Sequence, residues 1–172
     1  MLSRLPMLIY IITLTLNPVY KNVSIISSEH KMSGFTFQML LQCQYTGDKN
    51  TVDKLHVEHL VDNEWQDFKL DIYSPGFDVF IYSILSCQHM FFRNNATEYG
   101  LTMNSAEALI TIVTDEHRSI ESLHSEFTGK LENGTADIEK VKSITARVGL
   151  CPATINLKEM TDKKIVVNFE PA

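Results

Sequence analysis

The stretch SPGFDVFIYSILSCQHMFF, residues 74 to 92, decides how this chain folds. Ser74 followed by Pro75 predicts a helix start, with Ser as N-cap and Pro at the first helical position. Gly100 predicts its end, the helix running to about Tyr99. Between residues 77 and 92, eleven of sixteen side chains are apolar. A helix this greasy must be covered on most sides, by a sheet and by a second subunit. Cys87 lies inside it, and the chain has two other cysteines, Cys43 and Cys151.

What flanks this helix reads mostly as sheet. FTFQMLLQCQYT (35–46), TVDKLHVEHL (51–60) and EWQDFKLDIY (64–73) alternate as strands, the last two divided by the turn VDNE. After the helix, AEALITIVTD and SIESLHSEFTGKL form a second strand pair. NGT then caps a second helix, ADIEKVKSITARVGL, whose Ile138, Val141, Ile144 and Val148 share one stripe. Cys151 falls about 60° from the middle of that stripe, close enough to face the same core. Pro152 breaks the helix, the short helical piece ATINLKEM follows, and KKIVVNF closes the chain as a strand. The order predicts a single α+β domain with antiparallel strands packed on a long helix.

Composition narrows the function classes. The chain has 172 residues, is 44% hydrophobic and 21% charged, and carries a net charge of −6. That is an ordinary globular balance with no basic stripe, so neither nucleic acid nor an anionic membrane surface is an expected partner. Three cysteines do not make a disulfide framework, and no Cys/His group has zinc-ligand spacing. His56 and His59, three apart on a strand, face opposite ways and are read as solvated rather than as metal ligands.

The apolar run Leu5 to Leu16 is too short to span a membrane. It has the length of a leader core, but no small-residue cleavage site follows, and its Ile and Thr are strand-like. Met32 opens MSGFTFQMLLQCQY as a natural start. Residues 1–31 are therefore read as an N-terminal extension, with a leader or an integral strand as alternatives, and 32–172 as the domain. Asn22, Asn95 and Asn133 fit the glycosylation pattern. They are read as coincidental matches unless the chain is secreted, and the odd cysteine count and poor cleavage site oppose a small secreted glycoprotein.

Three segments then resemble one family. SPGFDVFIYSILSC, YGLTMNSAEALITIV and ARVGLCPATINL are similar to segments of the OsmC/Ohr family of osmotically inducible and organic-hydroperoxide-resistance proteins. The resemblance covers roughly Met32 to the C-terminus. It implies an OsmC-like α+β fold, a sheet wrapped around a long central helix in an intertwined homodimer, with the cysteines at the subunit interface. It implies a thiol peroxidase in which Cys87 attacks an organic hydroperoxide and Cys151 resolves the sulfenic acid as a disulfide. An external dithiol would reset the pair, with no bound cofactor or metal, in the cytoplasm. An arginine from the N-terminal strands, held by an acidic residue at the start of the long helix, would activate the attacking thiol. Asp78, nine residues before Cys87, matches that acidic position.

The chain departs from the family pattern: Asp78 is a shorter carboxylate, Pro75 lies one residue further from Cys87, and the arginine is missing. No Arg lies between Met32 and Cys87, the arginines being Arg4, Arg93, Arg118 and Arg147. A thiol some three turns into an apolar helix lies beyond the dipole's reach, and its pKa is pushed up unless a cation adjoins it. Arg147, Lys54 and Lys69 are the candidate replacements. An OsmC-like binding or structural protein without peroxidase activity is the alternative. Cys43 reads as structural, and His89, two residues from Cys87, points to the helix's other face.

Overall fold

The computed structural model describes residues 34–157 and 162–171. The reading of residues 1–31, and that of 158–160 at the end of the short helical piece, lie outside these. Six strands form one sheet in the order β3-β2-β1-β4-β5-β6. They are β1 (Phe35–Thr46), β2 (Thr51–Val61), β3 (Glu64–Asp67), β4 (Thr102–Thr114), β5 (Ile120–Asn133) and β6 (Asp162–Glu170). The helices are α1 (Gly76–Glu98), α2 (Ile138–Val148) and α3 (Pro152–Ile155).

The sheet is mixed, which corrects the expectation of an all-antiparallel one. Strands β1 to β5 pair antiparallel, but β6 runs parallel to β5. The reason lies in the connection. A hairpin reverses the chain, whereas α2 and α3 intervene between β5 and β6 and carry it back to the starting end. One sheet face forms the core. Met39, Leu41 and Cys43 of β1 lie opposite Ile110, Ala108 and Ala106 of β4. Leu123 and Phe127 continue this surface on β5. Onto it α1 turns Ile81, Ile84, Leu85, His89 and Phe92, residues three and four apart and hence on one side of the helix.

The sequence places α1 well, with one correction at its start. Pro75, not Ser74, is the N-cap, and no side chain caps the helix. Ser74 is occupied elsewhere: its Oγ accepts from Asp71 N and donates to the Lys69 carbonyl. That same turn ends β3 early. The alternation FKLDIY predicts strand to Tyr73, but Tyr73 N donates to Asp71 Oδ1 and the ladder stops at Asp67. Local side-chain bonds have displaced strand pairing here.

The end of α1 follows the expectation. Gly100 has φ 71°, its N–H reaches the Thr97 carbonyl at 2.9 Å, and Leu101 N reaches Ala96 O at 2.9 Å. This is a Schellman close, which needs a left-handed residue at Gly100. Gly100→Ala is expected to cost about 1 kcal/mol, read as a lower urea midpoint at unchanged slope.

Two further details differ from expectation. The cap of α2 is Asp137, whose Oδ1 accepts from Lys140 N at 2.9 Å, rather than the NGT segment. Within its stripe Ile144 and Val148 are buried, but Ile138 in the first turn is 72% exposed.

Candidate active site

Helix α1 presents Cys87 at a half-buried position, on the stripe left open by the sheet. Its exposed residues Gly76, Ser83, Met90, Asn94 and Glu98 mark that stripe. Cys151 is fully buried and forms the N-cap of α3. The two thiols, distant in sequence, lie near one another, close enough for the Cys151 thiol and the Ala153 backbone amide to act on the Cys87 pKa. Burial raises the Cys87 pKa, the Cys151 thiol raises it further, and the Ala153 amide partly offsets both.

Cys151 sits in a fixed set of hydrogen bonds. Its Sγ lies 2.9 Å from Thr154 Oγ1 and accepts from Thr154 N at 3.4 Å. Gln88, the residue after Cys87, donates from Nε2 to Thr154 Oγ1 at 2.9 Å. Gln88 and Thr154 are both fully buried, and Gln88 Oε1 has no hydrogen-bond partner. Sequence reasoning singled out neither. A lone amide on the buried side of an apolar helix was the available signal for Gln88. A cysteine three residues before a threonine, at a helix start, was the one for Thr154.

Asp78 faces a partner that the sequence did not suggest. Its Oδ2 lies 2.9 Å from His59 Nδ1, both side chains being mostly buried. His59 packs edge-on against Phe68, which adjoins Tyr82. Asp78 precedes Cys87 by nine residues, about 13.5 Å along the helix axis. Within one chain the His59–Asp78 pair therefore does not touch the thiol. Arg147 is not brought to Cys87 either: it pairs with Glu98, donates to Asn95 Oδ1 at 2.8 Å and lies over the Tyr99 ring. The carboxylate of Asp78 is held by His59 and not by Lys54 or Lys69.

A cavity of about 290 Å³ is lined by Phe91, Asn94, Asn95, Glu98, Arg147 and Leu150. Phe91 lies one turn beyond Cys87 and Leu150 adjoins Cys151, so the cavity runs along the same side of α1 as the thiols. Asn95 is buried and bonded to Phe91 O and Arg147, which removes it as a glycan acceptor.

The other candidates separate cleanly. His89 turns to the sheet, where its Nε2 meets Tyr45 Oη at 2.6 Å. Cys43 is buried on β1 beside Tyr45, and burial raises its pKa. His56 and His59 do lie on opposite sides of β2. His56 shares a 4.8 Å cluster with Glu58 and Asp67, the group among the described residues that could hold a metal ion. That cluster lies apart from the cysteines, on the sheet face away from α1. No helix among the described residues is long and apolar enough to cross a membrane.

No protein-family model matches the chain, and no curated protein does. Solved structures do. An OsmC-like hydroperoxide resistance protein from Jannaschia sp. CCS1 superposes with a TM-score of 0.51 at 14% identity, covering 73% of this chain and 89% of that one. A hypothetical protein from Aquifex aeolicus VF5 gives 0.51 at 10% identity, covering 77% and 96%. An OsmC-like protein from Mycoplasma pneumoniae gives 0.45 at 13% identity, covering 68% and 89%. The chain has the OsmC-like fold, as the three segment resemblances implied.

Proposed function

We propose that this OsmC-like chain is a thiol peroxidase that reduces organic hydroperoxides through Cys87 and Cys151. The observation that carries the reading is the proximity of these two free thiols, one half-buried and one fully buried. The Cys87 thiolate attacks the terminal peroxide oxygen: an S–O bond forms, the O–O bond breaks, and the alkoxide leaves and takes up a proton. Cys151 then attacks the sulfenic sulfur, an S–S bond forms, and hydroxide leaves to become water. Two exchanges with an external dithiol restore both thiols and oxidise that dithiol. The difference in burial supports this order, since a peroxide reaches Cys87 and not Cys151. The apolar floor of the neighbouring cavity, Phe91 and Leu150, suits an organic peroxide.

The reading includes a homodimer in the cytoplasm. The stripe of α1 carrying Cys87 leaves Met90 43% exposed, and Leu150 beside it is 59% exposed. A second copy of the chain would cover this surface. It would also bring its own side chains towards Cys87, His59 held by Asp78 standing where the resemblance implies an arginine.

The test is intact mass after one equivalent of cumene hydroperoxide, on wild type and on Cys151→Ser. Loss of about 2 Da in wild type is expected, as two thiols become a disulfide. The variant should gain one oxygen that dimedone captures. Unchanged masses in both would sink the reading. A second reading, a dimeric OsmC-like binding protein without peroxidase activity, is favoured by the raised pKa of Cys87 and by the engagement of Arg147 with Glu98.

A further inference from the structure

We propose that Thr154 is a positioning residue for Cys151, and that Gln88 sets the direction of its hydroxyl. The rate consequence of this rests on the peroxidase reading. The geometry and its first test do not.

A threonine hydroxyl offers one proton and two lone pairs. At Thr154 one lone pair is taken by the Gln88 Nε2 donor at 2.9 Å. With that lone pair engaged, the hydroxyl proton is free to point at Cys151 Sγ, also at 2.9 Å. Thr154 N–H brings a second donor to the same sulfur. Two donors aimed at one fully buried sulfur hold its direction, and both can stay bonded to it when it attacks as a thiolate. Cys87 on α1 is the titratable group near that sulfur.

The orientation of the amide decides the effect. Turned over, Gln88 would offer Oε1 as an acceptor and draw the hydroxyl proton away from the sulfur. In the observed orientation Oε1 is the atom left without a partner. The relay also joins the two thiol-bearing segments, because Gln88 follows Cys87 on α1 and Thr154 follows Cys151 on α3. It therefore fixes the aim of the sulfur that must attack the sulfenic acid. In that step the Cys151 thiolate forms the S–S bond, the S–O bond of Cys87 breaks, and hydroxide leaves.

The experiment is a pH titration of the full chain carrying Cys87→Ser, read by NMR on cysteines labelled with carbon-13 at Cβ. Adding Thr154→Val should raise the Cys151 midpoint by on the order of one pH unit, about tenfold in its ionisation constant. Thr154→Ser should restore it. An unchanged midpoint in Thr154→Val overturns the proposal. Should that variant not fold, Gln88→Met replaces it: a smaller rise is expected, and no rise overturns the proposal.

A second readout uses chains with Cys87 intact. After one equivalent of cumene hydroperoxide, disulfide closure should slow about tenfold in Thr154→Val, with sulfenate formation at Cys87 unchanged. Equal slowing of both steps would reduce Thr154 to a packing residue and overturn the proposal. Absence of sulfenate in every variant would sink the peroxidase reading instead, while the titration still decides the relay.

Discussion

Cys87→Ser is expected to lower peroxide-dependent oxidation of a dithiol by at least about 10³-fold, because it removes the attacking atom itself. Cys151→Ser should leave the first attack intact and stall the cycle at the sulfenic acid. Coupled dithiol oxidation under excess peroxide, beside single-turnover formation of a dimedone adduct, separates the two. Equal loss in both variants at the single-turnover stage would contradict the assigned order.

The pH profile carries the sign of the Cys87 shift. Burial and the Cys151 thiol raise this group above its ordinary value, so at neutral pH little thiolate is present. The first step should therefore climb about tenfold per pH unit from pH 7 towards pH 9. A profile already flat at pH 6 would mean that a cation absent from the single chain faces the sulfur. The His59–Asp78 pair of a second copy is then the group to test, by His59→Gln.

Much of this arrangement was legible in the residues, and what was not has identifiable causes. The limits of β1 at Phe35 and Thr46 coincide with the quoted run, since alternation over twelve residues leaves little freedom of register. Gly100 marked the close of α1 because few other residues adopt its conformation cheaply. The parallel partner of β6 was hidden, because pairing across a helical crossover leaves no local mark. The strand reading of 68–73 failed because Ile72 and Tyr73, both 89% exposed, have no core face to supply in this chain. At the candidate site, the Cys-Pro segment singled out Cys151, and counting back from Cys87 singled out Asp78. Neither could show that Asp78 meets a histidine from β2, since that contact is made by the packing of α1 on the sheet. Sequence reasoning looked for a permanent cation and so passed over His59.

Acidification is expected to remove about 3 kcal/mol of stability between pH 7 and pH 4 through His89 alone. His89 is buried between α1 and β1, and its pKa is lowered from 6.5 to about 4, first by burial and then by the Arg93 charge. The groups facing it are Tyr45, whose pKa burial raises, with Cys43 beyond it on the same strand. In the tautomer with its proton on Nδ1, Nε2 accepts from the Tyr45 hydroxyl at 2.6 Å. Protonation removes that acceptor and buries a charge near Arg93. The unfolded chain binds the proton at pH 6.5, whereas the folded one resists it until about pH 4. Stability is therefore full above pH 6.5, declines as pH falls below it, and stops declining below about pH 4. His89→Gln keeps a group able to accept from Tyr45 and does not titrate. Urea midpoints of wild type and variant at pH 7.5, 5.5 and 4 should diverge on the acid side alone, wild type losing the additional 3 kcal/mol or so. Parallel curves would show that the folded protein accommodates the imidazolium, and that the Tyr45–His89 contact does not require a neutral ring.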